Sequence, residues 1–194
     1  DYLRRFSLAL ERCTEGAFGS ALKKVAGGAS RASIPVVPLV IAGDDLTVVC
    51  HGSVALALAV EFLRDFERLT ADDDPEKGDV IPALAEKAFG ARRLGAAAGI
   101  TIMKSHFPFF AAYDLAESLT SSAKVEIKTR LIEDGKCWPC CALDFHVVFD
   151  SSASALGDIR TSLDEVDGGG TRLHGRPYVI SDLESMPSVP GLEW

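Results

Sequence analysis

The sequence lacks several features that would point to common classes of protein. Its 194 residues contain 20 Lys and Arg against 28 Asp and Glu, a formal charge of -8. This balance argues against a broad basic surface for DNA or an anionic membrane, although a metal ion can supply local positive charge for a phosphate. The longest apolar stretches, residues 34–41 and 54–60, are far shorter than the roughly 20 residues that cross a bilayer. We therefore expect no membrane partner and no strong nucleic-acid surface.

Common catalytic and metal-binding motifs are also missing. No G-x-x-x-x-G-K-[ST] or G-x-G-x-x-G loop supports a P-loop or dinucleotide site, and no G-x-S-x-G elbow points to a serine hydrolase. Cys137 and Cys140, beside Cys141, have the spacing of a zinc-binding pair. A structural zinc site needs four ligands, and no second C-x-x-C or H-x-x-x-H follows. We therefore expect these three cysteines to hold no structural metal.

The five cysteines do not suggest a disulfide framework. Their number is odd, and Cys13 and Cys50 fall in apolar periodic segments, where buried reduced thiols are the ordinary state. No basic stretch followed by an apolar stretch opens the sequence, so we see no secretory signal. We expect a cytoplasmic protein.

What the sequence does contain is a succession of amphipathic helices and β-branched strands. Apolar residues recur every three or four positions from Leu3 to Val25, which predicts a long first helix. Two apolar runs, residues 34–41 and 46–50, flank an Ala-Gly-Asp-Asp turn and predict a β-hairpin. The later segments predict, in order, a helix from Ser53 to Leu69, a helix over Val80–Phe89, a strand over Ala96–Met103, a helix from Phe109 to about Lys124, a strand over Ala142–Phe149, a helix over residues 156–166 and a strand over residues 178–180.

The order of these elements favours the α/β class, in its α+β form. Helix, hairpin, helix and strand follow one another as in the split βαββαβ, ferredoxin-like pattern without its first strand. We therefore expect an antiparallel sheet packed by helices, and a missing first strand would precede Asp1. The main domain would span residues 1–150, and a C-terminal extension, residues 151–194, would pack on it. In the helix after Phe107 we expect Phe109 and Tyr113 to face inward, and the pair Phe109-Phe110 to be core rather than a platform for a base.

The turn Ala42-Gly43-Asp44-Asp45 is the strongest local signal of chemistry. Two adjacent carboxylates repel each other unless water or a cation screens them, and Mg²⁺ is commonly bound by one or two carboxylates plus substrate phosphates. The preceding glycine has no side chain to block a triphosphate. Spacing alone favours an ordinary exposed turn, because Asp is a common turn former.

Longer stretches add a family resemblance. PVVPLVIAGDDLTVVCHG, AGITIMKSHFPFFAAYDLAESLTSSAK and ALDFHVVF, in this order between about Ile34 and Phe149, resemble the palm domain of the large subunit of type III CRISPR effector complexes. That polymerase/cyclase palm is related to GGDEF diguanylate cyclases and class III nucleotidyl cyclases. The closer similarity is to standalone bacterial proteins that carry such a palm.

The resemblance implies a nucleotidyltransferase or cyclase that acts on ATP or another NTP with Mg²⁺ or Mn²⁺. Asp44 and Asp45 would bind the metal, Gly43 would let the phosphates pass, and Lys124 would contact them. The other interpretation of Lys124 is an ordinary cation near the C-terminus of a helix. Two departures from the family stand out: Ala42 replaces the first glycine of Gly-Gly-Asp-Asp, and the strand that carries the family's other metal carboxylate is missing.

The resemblance further implies a cyclic or linear oligonucleotide signal in antiphage defence. It also implies a second palm domain as partner, in a homodimer or in a longer chain. The alternative is a degenerate, non-catalytic palm that binds a nucleotide or a protein. Ala42 and the missing carboxylate favour this alternative.

Overall fold

The computed structural model describes residues 2–26, 35–71, 80–130, 132–133, 136–137, 139–149, 155–164 and 175–181. These ranges form five helices and seven strands, and the predicted α/β class is confirmed. In chain order they are α1 (Tyr2–Val25), β1 (Val36–Ala42), β2 (Asp45–Cys50), α2 (Gly52–Ala71), α3 (Val80–Phe89), β3 (Ala97–Ile102), α4 (Phe109–Arg130), β4 (Ile132–Glu133), β5 (Lys136–Cys137), β6 (Ala142–Val147), α5 (Leu156–Asp164) and β7 (Tyr178–Val179).

The predicted hairpin is a two-stranded antiparallel sheet of its own, made of β1 and β2. Its register shifts between Pro38 and Val40, where proline, which lacks an N–H, cannot donate to the ladder. The inner face of the hairpin, which includes Ile41 and Val48, packs on a buried cluster from α1 and α2. The alternating apolar pattern of the hairpin therefore positions its turn against the helices.

The second sheet has the strand order β3-β6-β7. β7 pairs with β6 antiparallel, but β3 and β6 run parallel, with Ala97 beside Ala142. The prediction of an antiparallel sheet is thus correct for β1–β2 and for β6–β7 and wrong for β3–β6. The physical reason is the connection: a helix, α4, links β3 to β6, and a crossover of this length allows parallel pairing.

Gly99 of β3 lets α4 lie unusually close to the sheet. A Cβ at residue 99 would lie 2.1 Å from the carbonyl oxygen of Ala116 and 2.4 Å from the backbone nitrogen of Thr120. The face of α4 that meets the sheet therefore has no room for an aromatic ring. Its buried residues are Ala112, Leu115, Leu119 and Ala123.

The aromatic residues expected inside α4 are instead outside. Phe109 is 53% exposed, Phe110 is 71% exposed and Tyr113 is 42% exposed. The prediction that Phe109 and Tyr113 face inward, and that Phe109-Phe110 is core, is wrong because the close approach at Gly99 selects small residues for that face. α4 also continues to Arg130, beyond the predicted end at Lys124.

The described parts of residues 151–194 pack on the rest of the chain. Leu156 and Ile159 of α5 pack against the buried cluster of Leu115, Leu119 and Val148, and β7 extends the second sheet. The division into a domain of residues 1–150 and an extension of residues 151–194 stays a prediction.

Phe62 of α2 links the separate apolar clusters of the molecule. It packs against one cluster that contains Cys13 and Phe66, a second that contains Phe18, and a third that contains Leu143. These clusters belong to the α1–α2–α3 contact, the hairpin contact and the second sheet. The Phe62 side chain therefore connects the β1–β2 hairpin to the β3-β6-β7 sheet through the helix layer.

Candidate functional site

The turn between β1 and β2 has the tight geometry that its sequence predicts. Ala42 pairs with Asp45, which leaves Gly43 and Asp44 at the tip. Gly43 has a φ of 60°, in the left-handed region that favours glycine. Among the described residues, nothing lies within 4 Å of the place that a Cβ would take at Gly43. The backbone at the tip is therefore open to a ligand.

Thr14 fastens this turn to α1. Its Oγ1 lies 2.7 Å from the carbonyl oxygen of Gly43 and 3.1 Å from that of Leu10. The Thr14 side chain is 1% exposed, and a hydroxyl has one hydrogen to donate, so the shorter contact to Gly43 is the better placed of the two. The sequence analysis missed this role, although a lone Thr on the apolar stripe of α1 was the available signal.

Asp44 and Asp45 are both exposed, and Asp45 lies within electrostatic range of α4. The pKa of Tyr113 is raised chiefly by the Glu117 carboxylate, then by burial, and further by Asp45 and Asp114. The charge of Asp45 therefore acts on Tyr113 in the first half of α4, where Glu117 adds to the negative potential. Throughout the described ranges, no three His, Cys, Asp or Glu side chains are grouped so that they could hold a metal ion.

Lys124 is exposed and lies on the same face of α4 as Tyr113. The two residues are three helical turns apart, about 16 Å along the axis. Lys124 thus lies about 16 Å along α4 from the residue on which the charge of Asp45 acts, and its contact with phosphates stays a prediction. The interpretation of Lys124 as a C-terminal helix cation does not hold, because α4 continues to Arg130 and the dipole effect is confined to the last turn.

The cysteines after β5 are part of the core where the structure describes them. Cys140 and Cys141 are both buried. The Sγ of Cys141 accepts a hydrogen bond from the backbone nitrogen of Ala96 and donates one to the carbonyl oxygen of Leu63. Burial raises the pKa of the Cys141 thiol far above its usual range, which disfavours the thiolate that a metal needs. The side chain of Cys137 lies outside the described residues, so the expectation for all three cysteines stays a prediction.

A cavity of about 420 Å³ lies between α4, the end of β6 and the start of α5. The turn of residues 42–45 does not line it. Most of its wall is apolar, including the ring of Phe149, which is 81% exposed. The side chains that give it its character are Phe107, Phe110, Asp114, Ser118, His146 and Phe149.

A buried ion pair supports one wall of this cavity. Asp144 of β6 is 0% exposed and pairs with Arg160 of α5, which also donates a hydrogen bond of 2.8 Å to the Oγ of Ser122. The Oδ1 of Asp144 has no hydrogen-bond partner within the described part of the chain. Removing Arg160 would leave a fully buried carboxylate without its counter-charge.

Arg176 lies next to this pair. Its guanidinium donates to the carbonyl oxygen of Phe145 and sits 4.6 Å from the centre of the Phe145 ring. Burial, then the positive charges of Arg176 and Arg160, hold the pKa of His146 below its ordinary value, against a smaller opposing effect of Asp144. His146 is therefore a neutral imidazole at pH 7, and the surroundings carry positive potential.

Comparison with known proteins adds no family to this picture. No protein family model matches the chain, and no curated protein matches it either. No helix in the described ranges is long and apolar enough to span a membrane.

Proposed function

We propose that the chain is a metal-dependent nucleotidyltransferase or cyclase of the palm type, acting on ATP or another NTP. The observation that carries the proposal is the hairpin turn. It combines a glycine with positive φ and open surroundings, two exposed carboxylates, and a backbone held to α1 by Thr14. A loosely held acidic turn would need none of this support.

Asp44 and Asp45 are the residues that would hold Mg²⁺ or Mn²⁺, with phosphate oxygens of the NTP as further ligands. A divalent cation there supplies Lewis-acid activation of the attacking hydroxyl and neutralises charge on the leaving pyrophosphate. Gly43 lets the phosphates approach the backbone, while the exposed methyl group of Ala42 narrows that approach. Lys124 would contact the phosphates of the NTP only if the bound nucleotide were extended along α4.

The reaction needs a second palm domain. A single turn offers two carboxylates, and joining two nucleotides requires an acceptor opposite the donor. A second copy of the chain, related by a two-fold axis, would place two such turns face to face. Bare Asp-Asp turns repel each other, so Mg²⁺ and NTP would strengthen the pair by mass action. By the family resemblance, the product would be a cyclic or linear oligonucleotide signal in antiphage defence, made in the cytoplasm.

A non-catalytic palm is the second candidate. The observation that favours it is the missing third metal ligand near Asp44 and Asp45 among the described residues, together with Ala42. Such a module would bind a nucleotide or a protein partner without turnover.

The test is the double variant Asp44→Asn with Asp45→Asn, incubated with each NTP and Mn²⁺, with products identified by mass spectrometry. We expect NTP turnover to fall at least about 100-fold, because the metal loses its charged ligands. The melting temperature should stay the same or rise, since a like-charge pair is relieved. Glu15→Gln, an exposed carboxylate-to-amide change on α1, is the matched control. Full turnover in the double variant would contradict the assignment, and an inactive wild-type protein that still binds NTP would favour the non-catalytic palm.

A further inference from the structure

The cavity beside α4 lies where sheets with parallel strands commonly bind ligands. In open α/β sheets the ligand site forms outside the carboxyl ends of the strands. Here Val147 and Phe149 stand at the carboxyl end of β6, and Phe107 follows the parallel strand β3. The volume of about 420 Å³ falls within the roughly 300–1,000 Å³ of small-molecule sites.

Aromatic side chains surround the opening of this cavity. Phe110 and Phe149 are among the most exposed large apolar residues of the described chain, at 71% and 81%, and both line the cavity with Phe107. Their exposure costs free energy in the empty protein. A flat aromatic ring that enters between them would remove this surface from water.

The polar groups on the α4 side of the cavity are hydrogen-bond acceptors. Asp114 makes no ion pair in the described part of the chain, and an ionised carboxylate can only accept. Ser118, one turn further along, donates its hydroxyl hydrogen to the backbone oxygen of Asp114, which leaves its lone pairs for a ligand. An amino group on a bound aromatic ring could donate hydrogen bonds to both Asp114 and Ser118.

Two basic side chains lie next to the large cavity without lining it. A small adjoining cavity of about 10 Å³, room for about one water, shares His146, Leu156 and Ile159 with the large one. It is also lined by Arg160 and Arg176. Arg160 is partly neutralised by Asp144, whereas Arg176 bonds only a carbonyl oxygen and a ring face among the described residues. In a chain of net charge -8, this is a place for an anion.

We propose that this cavity binds a nucleoside monophosphate with an amino-substituted base. The base lies among Phe107, Phe110 and Phe149 with its amino group toward Asp114. The phosphate lies at the His146 end of the large cavity and contacts Arg176 through the one water that the small cavity can hold. The site needs no metal, and the proposal is independent of the function assigned to Asp44 and Asp45.

The experiment is a titration of the full chain with AMP in EDTA, followed by calorimetry and by ¹H–¹⁵N NMR. We expect saturable binding with a dissociation constant below about 1 mM and shifts at Ser118 and His146 rather than at the hairpin. Adenosine, which lacks the anion, and purine riboside 5′-monophosphate, which lacks the amino group, should each bind about 10-fold more weakly. Inorganic phosphate alone should bind more weakly than AMP.

Two variants and their controls locate the contacts. Arg176→Gln and Asp114→Asn should each weaken AMP binding about 10-fold, whereas Arg64→Gln and Glu15→Gln, both exposed and remote from the cavity lining, should leave it unchanged. If Arg176→Gln does not fold, Arg176→Lys retains the charge and should bind AMP more weakly without the planar fork. The double variant of Asp44 and Asp45 should bind AMP like the wild type. No saturable binding, shifts confined to the hairpin, or undiminished affinity in both cavity variants would overturn the proposal.

Discussion

Tyr113 and Asp114 are neighbours in α4 but belong to two different surroundings. The pKa of Tyr113 is raised chiefly by the Glu117 carboxylate and further by Asp45 of the hairpin turn, so its surroundings are acidic. Asp114 lines a cavity that adjoins a smaller one lined by Arg160 and Arg176. One helix thus separates an acidic region from a region next to two arginines.

The two regions also differ in what holds them in place. The turn depends on one buried hydroxyl, that of Thr14, and its carboxylates are exposed. Behind the cavity lie the ion pair between the fully buried Asp144 and Arg160 and the close approach of α4 to Gly99. Changes at the turn should therefore alter chemistry more than stability, and changes behind the cavity should do the reverse.

The largest effect on stability is expected from Arg160→Met. This change keeps most of the side-chain volume but leaves the Asp144 carboxyl fully buried without its counter-ion, so the free energy of unfolding should fall by about 3–5 kcal/mol. Urea denaturation measures the loss, with Arg64→Met on the exposed face of α2 as the control that should change by about 0.5 kcal/mol or less. A loss no larger than that of the control would mean that the pair does not support the fold.

The same change, Gly→Ala, should act differently in the two regions. Gly99→Ala places a methyl group against the backbone of α4, and we expect a loss of about 2–3 kcal/mol through overpacking. Gly43→Ala meets no neighbour but must adopt a φ of 60°, which costs about 1 kcal/mol. Thermal and urea unfolding of both variants tests the contrast. If both variants lost the same free energy of unfolding, the packing around Gly99 and the open surroundings of Gly43 would not differ in their effect on stability.

The smallest effect concerns pH. Burial and the charges of Arg176 and Arg160 hold the pKa of His146 below 6.5, with Asp144 opposing them. Between the lowered pKa and 6.5 the unfolded state binds more protons than the folded state, so stability is present above this window and is lost as the pH falls through it. His146→Gln should flatten the slope of unfolding free energy against pH below 6.5, and His106→Gln, on an exposed turn, is the matched control. An unchanged slope in His146→Gln would contradict the environment described for this residue.

Local patterns predict the elements of this fold better than their pairing. Adjacent residues are enough to predict the helix α1, from its periodicity, and the hairpin, from its alternating strands and Gly-Asp turn. The structure contains both elements. The parallel pairing of β3 with β6 follows instead from the α4 crossover between them, and the exposed position of Phe109 follows from Gly99, which lets α4 approach the sheet closely. No window of neighbouring residues contains that information.

The candidate sites divide in the same way. Asp44 and Asp45 could be predicted as candidate ligands because a glycine-containing turn and a pair of carboxylates occur together within four residues. The cavity could not be predicted, because Asp114, His146 and Arg176 come from three separate elements that only the packing brings together. Arg176 in particular carries no local signal, since a single arginine before a proline is ordinary in sequence.

Phe62 belongs to several apolar clusters, and this affects which parts of the protein unfold locally. The hairpin and the second sheet are not joined strand to strand, and by backbone hydrogen bonding alone they would be separate units of local unfolding. Because Phe62 of α2 packs into clusters on both sides, α2 couples the apolar contacts of the hairpin to those of the second sheet. Regions that share buried surface in this way behave as one foldon in hydrogen exchange. We therefore expect the hairpin and the second sheet to open together in native-state hydrogen exchange.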